Sequence, residues 1–153
     1  MADDLAKRYP EDGLVNNYWL PSIRSTIELG RNNPDKAIEI LRAAVPYELG
    51  APTPSPTVGA PLYPIYVRGQ VYLKLRQGKE AAAEFQKIFD HRTIVVNFIT
   101  GALAHLGLAR AYALEGDTSK ARAAYNDFFT LWKDADSDLP VLKQAKAESA
   151  RLQ

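Results

Sequence analysis

The chain has 153 residues, 46% of them hydrophobic and 24% charged, and its 19 Lys and Arg against 18 Asp and Glu give a formal charge of +1. That is a globular rather than a disordered composition, and a chain of this length buries roughly two-thirds of its unfolded surface, enough for one core. A near-zero charge gives no electrostatic case for nucleic acid or an anionic membrane. The absence of cysteine excludes disulfides, thiol nucleophiles and thiolate metal sites, and no segment has the roughly 18 apolar residues of a membrane span.

In chain order, Met1 to Pro10 is acidic and then basic with no apolar core, so it does not read as a secretory signal. Leu14 to Leu29 predicts a first helix, with Pro21 marking its true first turn. Pro34 to Ala44 predicts a second: Asn33 is its cap, Pro34 its first-turn proline, and Ala37, Ile38, Leu41 and Ala44 its apolar stripe. Residues Pro46 to Pro61, with Pro52, Pro54, Pro56, Gly50 and Gly59 between them, are expected to run extended over the surface. Helices three and four are predicted at Leu62 to Gln77 and Lys79 to Asp90, and helices five and six at Gly101 to Leu114 and Thr118 to Trp132. Gly78 and Gly116 fall at the bends, where glycine takes a left-handed conformation, and Asp117 is placed to cap helix six. The segment 91–100 carries Ile94, Val95, Val96, Phe98 and Ile99, too apolar for a solvated loop, and is expected to pack back on the helices. Pro140 to Leu152 predicts a closing helix with Leu142, Ala145 and Leu152 among Lys143, Lys146 and Arg151, one face for the core and one for water.

Within this order one spacing recurs. Gly69, Tyr72, Ala81, Phe85 and Ile88 stand 3, 9, 4 and 3 residues apart, and Ala109, Tyr112, Ala121, Tyr125 and Phe128 repeat those intervals forty positions later. Steps of 3 and 4 share a helix face, while the step of 9 contains a polar turn, so each copy is a helical hairpin in which small residues allow close approach and aromatics fill the space beside them. A degenerate copy at the same intervals is Ser25, Glu28, Ala37, Leu41 and Ala44, of which the second half carries the stronger signal. The whole chain is then one all-α domain, 1–153. Its parts are a degenerate hairpin at 14–45, a proline-rich loop at 46–61, hairpins at 62–90 and 101–132, a connecting segment at 91–100, and a cap at 139–152.

This small–aromatic–small–aromatic pattern resembles the tetratricopeptide repeat, with Ile65 and Arg68 before Gly69 and His105 and Leu108 before Ala109. Tyr18-Trp19-Leu20-Pro21, Pro46-Tyr47-Glu48-Leu49-Gly50, Arg68-Gly69-Gln70, Glu84-Phe85-Gln86-Lys87, Gly101-Ala102-Leu103-Ala104-His105 and Leu131-Trp132-Lys133-Asp134 are similar to the C-terminal repeat regions of bacterial, particularly acidobacterial, eukaryotic-like serine/threonine kinases and related regulators. The first resemblance implies a right-handed α-solenoid whose first helices line a concave groove. The second implies an accessory module of a signalling protein, cytoplasmic by default, or extracytoplasmic if it forms the tail of a membrane-spanning kinase.

Aligned by that resemblance, Tyr63, Tyr66, Gln70, Leu73 and Lys74 of helix three and Leu103, Leu106, Arg110 and Ala113 of helix five line the groove, while Tyr72, Phe85, Tyr112 and Tyr125 are core. A groove of aromatic and apolar residues with two cations suits a peptide-like segment bearing an apolar anchor and an acidic group. Self-association of a larger kinase or regulator is the alternative. An enzyme is not expected. His91-Arg92 begins like a kinase catalytic loop, but Thr93 occupies the place of the catalytic Asp, and no phosphate loop accompanies it. His91 and His105 have no ligand partner at helical spacing, and Asp134, Asp136 and Asp138 lack the glycine and bidentate glutamate of a calcium loop, so neither metal nor cofactor is expected.

Overall fold

The computed structural model describes residues 2–50, 62–95 and 97–152, and among them every regular element is helical. These are α1 (Ala2–Arg8), α2 (Leu20–Gly30), α3 (Pro34–Leu41), α4 (Tyr63–Lys74), α5 (Gly78–Asp90), α6 (Arg92–Val95), α7 (Ile99–Leu114), α8 (Thr118–Leu131) and α9 (Pro140–Ala150). None of the described helices is long and apolar enough to cross a membrane. Helix α1 was not legible as apolar periodicity, but Asp3 and Asp4 in its first turn and Lys7 and Arg8 in its last match the two ends of the helix dipole.

The predicted first helix has two parts. A π-helical turn, Val15–Trp19, runs directly into α2, and the Leu20 N–H reaches back to the Val15 carbonyl. Pro21 lies in the first turn of α2, as its position in the sequence implied. Having no N–H and a ring that crowds the preceding turn, it favours this widened turn over a regular one. The hydroxyl of Ser22 donates to the Tyr18 carbonyl at 2.7 Å, a further bond between the widened turn and α2.

The three hairpins α2–α3, α4–α5 and α7–α8 turn in the same way. The N–H groups of Asn33, Gln77 and Asp117 bond the carbonyls of Glu28, Tyr72 and Tyr112, each five residues back, at 2.9, 2.9 and 3.0 Å. The residue before each donor is left-handed: Asn32 at φ 64, Arg76 at φ 57 and Gly116 at φ 76. These are Schellman-type endings at equivalent positions of all three copies. Gly116 fills the predicted role and Gly78 does not, because Arg76 takes the left-handed position. Gly78 is needed instead for contact: a Cβ there would lie 2.5 Å from a Glu115 oxygen and 2.9 Å from the Ala111 carbonyl. Asp117 caps α8 by accepting from the Lys120 N–H at 3.0 Å, whereas Asn33 makes no such bond to α3.

All five residues of the degenerate copy are buried, Ser25 and Glu28 included. In the second copy Phe85 is fully buried and pressed between two glycines of different helices. A Cβ on Gly69 of α4 would stand 2.7 Å from its ring, and one on Gly107 of α7 2.5 Å. Tyr125 and Phe128 occupy the matching core of the third copy, whereas Tyr72 and Tyr112, expected in the core, are half-buried at its edge. Helix α5 packs against both α4 and α7, and α7 against α8, so one core cluster runs from Leu62 to Ala145 of α9. A smaller cluster of Ala37, Leu41, Val67 and Val71 joins α3 to α4.

Two connecting segments depart from expectation. Pro46 does not start an extended run: a 3₁₀ turn spans Arg42–Tyr47 and includes it. Residues 51–61 of the predicted proline-rich loop lie outside the described residues. In 91–100, Val95 is buried and Ile94 and Phe98 pack on the core as predicted, but Ile99 is exposed and already opens α7, two residues ahead of the expected start.

Candidate functional site

The candidate groove residues come from two helices that touch, α4 and α7. On α4, Tyr63 and Tyr66 stack with centroids 6.4 Å apart, and Tyr66 sets its edge against Phe85 at 5.9 Å. The Tyr63 N–H is capped by the Tyr18 hydroxyl at 3.1 Å, so the N-terminal region fixes where this aromatic pair begins. Burial raises the Tyr18 pKa to about 12, keeping it a neutral donor and acceptor. Both groove tyrosines are half-buried, packed on one side and open on the other. Gln70 and Leu73 continue the same helix half-buried, and Lys74 is exposed.

Helix α7 contributes less to an open groove than predicted. Leu106 is only 2% exposed and belongs to the core, since α7 is apolar on nearly every side and the neighbouring helices enclose it. Leu103 and Ala113 are half-buried. Arg110 is not a free cation. Its Nε and Nη2 donate to Glu148 of α9 at 2.8 and 3.2 Å, and the same carboxylate accepts from the Tyr125 hydroxyl at 3.0 Å and from Gln144 at 2.8 Å. A fork-shaped guanidinium meeting one carboxylate in this way is a strong, orienting contact, and it fixes α9 across the ends of α7 and α8. Burial, reinforced by the Glu148 charge, raises the Tyr125 pKa, so its hydroxyl remains protonated as a donor. Burial also raises the Tyr66 pKa, with the Arg110 charge acting against it. The surface therefore presents an aromatic pair, a neutralised ion pair and one open cation, Lys74.

A second polar constellation went unforeseen. Arg68 of α4 is buried, donating through Nε to Glu84 of α5 at 2.9 Å and through Nη2 to Glu48 at 2.5 Å, while Lys87 closes on Glu84 at 2.7 Å. Burial disfavours the guanidinium charge, but the hydrogen bonds and charges of Glu48 and Glu84 outweigh it and raise the Arg68 pKa. This network ties the 3₁₀ segment to the second hairpin. Its signal in the sequence was Arg68 itself, a cation where the neighbouring copy has Leu108.

Of the kinase-like His91-Arg92 pair, His91 terminates α5, its N–H bonded to the Lys87 carbonyl, and Arg92 opens α6. Among the described residues no group of three His, Asp or Glu side chains is placed to hold a metal ion. Comparison with protein-family models, curated proteins and solved structures returned no match to this chain.

Proposed function

We propose that this chain is a non-catalytic protein-interaction module, a tetratricopeptide-like right-handed solenoid that presents a concave groove to a peptide-like segment as the accessory region of a bacterial signalling protein. The observation that carries this reading is the threefold turn: three hairpins with the same hydrogen bond and a left-handed residue at the same position. Such repetition supports reading α2, α4 and α7 as equivalent first helices with outward faces on one surface. On that surface Tyr63 and Tyr66 offer rigid aromatic area at low entropic cost, the usual composition of an interface anchor. Lys74 supplies the charge for an acidic residue of the ligand; Arg110 orients the end of the groove through Glu148 rather than binding directly.

Selection of peptides displayed from a random library on the full chain tests this. Enriched sequences pairing an apolar anchor with an acidic residue, and losing affinity to Lys74→Glu, support the reading. Enrichment indifferent to Lys74→Glu refutes it. The rival reading, self-association, draws on the exposed Val45, Tyr47 and Leu49, which alternate along one short segment. Sedimentation across a hundredfold concentration range separates the two, since a pure binding module stays monomeric.

A further inference from the structure

A cleft of about 310 Å³ opens between α5, α6, α7 and α8, apart from the groove. Its apolar walls are Ile88, Phe89, Val95, Phe98, Ala102 and Leu131. Leu131 stands at the rim, 58% exposed, and gives the cleft an accessible apolar edge. The polar lining is Arg92, Asn97 and His105. His105 lies against Phe89 with ring centroids 4.4 Å apart, and burial lowers its pKa, opposed by Asp127 and assisted by Arg92, so at neutral pH it is uncharged. Asp127 lines the adjoining cleft and not this one. Arg92 is exposed and has no carboxylate beside it in the lining. The cleft is thus a half-open one of mixed lining, in which Arg92 is the one permanently charged side chain among the described lining residues.

Apolar walls with few convergent polar groups are the usual makeup of a small-molecule site, and 310 Å³ is at the lower end of such sites. We infer that this cleft binds a small amphiphilic monocarboxylate, its head on the Arg92 guanidinium and its hydrocarbon tail on Phe89, Phe98 and Leu131. The fork of an arginine matches a carboxylate in two parallel bonds, and a neutral His105 adds no competing charge at the floor. This site is independent of the peptide groove and stands whether or not the groove reading does.

The test is titration of the full chain with decanoate below its micellar concentration, followed by amide chemical shifts and calorimetry, with decanol and acetate as tail-only and head-only probes. Decanoate is expected to shift the amides of Gly101, Ala102, His105 and Leu131 saturably, and decanol and acetate far less. Arg92→Gln, a change at an exposed position, is expected to weaken decanoate about tenfold. Ala102→Phe, which fills the cleft, is expected to abolish the shifts. Absence of saturable shifts, equal binding of decanol and decanoate, or decanoate binding unchanged by Arg92→Gln would each overturn the assignment.

Discussion

The N-terminal region, residues 2–50, and the paired hairpins of 62–131 solve one packing problem by different means. In the hairpins, interdigitation does most of the work: Phe85 fills the gap between Gly69 and Gly107, and Tyr125 and Phe128 are buried in the same core one repeat later. In the N-terminal region Leu41 stands where Phe85 does, but the positions of Gly69 and Tyr72 hold Ser25 and Glu28, and polar bonds contribute to the register. Glu28 receives Arg31 at 3.0 Å and Asn33 at 2.9 Å, Tyr18 meets the start of α4, and Glu48 meets Arg68. Aromatic–glycine packing tolerates little change of volume, whereas a buried polar network tolerates little change of partner. The same backbone turn is reached both ways.

This comparison is broken or sharpened first at the two centres. Phe85→Ala leaves a ring-sized void and is expected to cost about 3–5 kcal/mol in denaturant unfolding. Arg68→Ala strands the buried Glu48 carboxylate and leaves Glu84 with Lys87 alone, and is expected to cost about as much, roughly 3–5 kcal/mol. Their rescue should differ. Replacing the whole ionic set, Arg68→Leu with Glu48→Leu and Glu84→Met, is expected to recover most of the loss, because no buried charge then lacks a partner; no partner change rescues Phe85→Ala. A smaller effect comes from overfilling: Gly69→Leu or Gly107→Leu drives a side chain into the Phe85 ring and is expected to cost roughly 1–3 kcal/mol.

The next effect is a pH dependence at Glu28, added to that of Asp117, whose bonds to Lys120 also lower its carboxyl pKa. The Asn33 hydrogen bond, with help from Arg31 and Lys36, holds the Glu28 carboxyl below the ordinary glutamate value, while burial opposes them. A carboxylate with a depressed folded pKa contributes stability that is complete above its unfolded pKa and is lost as pH falls toward the folded one. Thermal melts of the parent should therefore decline below the ordinary glutamate range, and Glu28→Gln should flatten that acid limb. If the two acid limbs coincide, Glu28 is not the coupling group. The smallest effect belongs to Lys74→Glu, which alters an exposed side chain and is expected to leave melting within experimental scatter. Tyr66→Ala, by contrast, removes a half-buried ring packed on Phe85 and will lower stability, so it cannot report on binding alone.

Much of the helical layout was legible because intervals of 3, 9, 4 and 3 constrain both faces and turn, and even the degenerate copy obeyed them. What escaped was non-periodic. The π-helical turn before Pro21, the left-handed Arg76 in place of Gly78, and the pairing of Arg68 with Glu48 twenty residues away depend on three-dimensional partners that no spacing encodes. Of the candidate groove residues, those of α4 are half-buried or exposed, as an outward face requires. Helix α7 departs from this: it is apolar almost all round, so periodicity gave no reason to place Leu106 inside rather than out. Nothing in the local sequence linked Arg110 to Glu148, thirty-eight residues on.

The central claim is that the outward face of α4 is the working surface and the rest of the molecule its support. Calorimetric titration of one library-selected acidic peptide against the parent, Lys74→Glu and a chain lacking residues 51–60 tests it most directly. The account predicts that Lys74→Glu loses about tenfold in affinity with unchanged melting, while the deletion binds like the parent. Binding that survives Lys74→Glu and disappears with residues 51–60 would contradict it, and would move the binding element from the helices to the proline-rich segment.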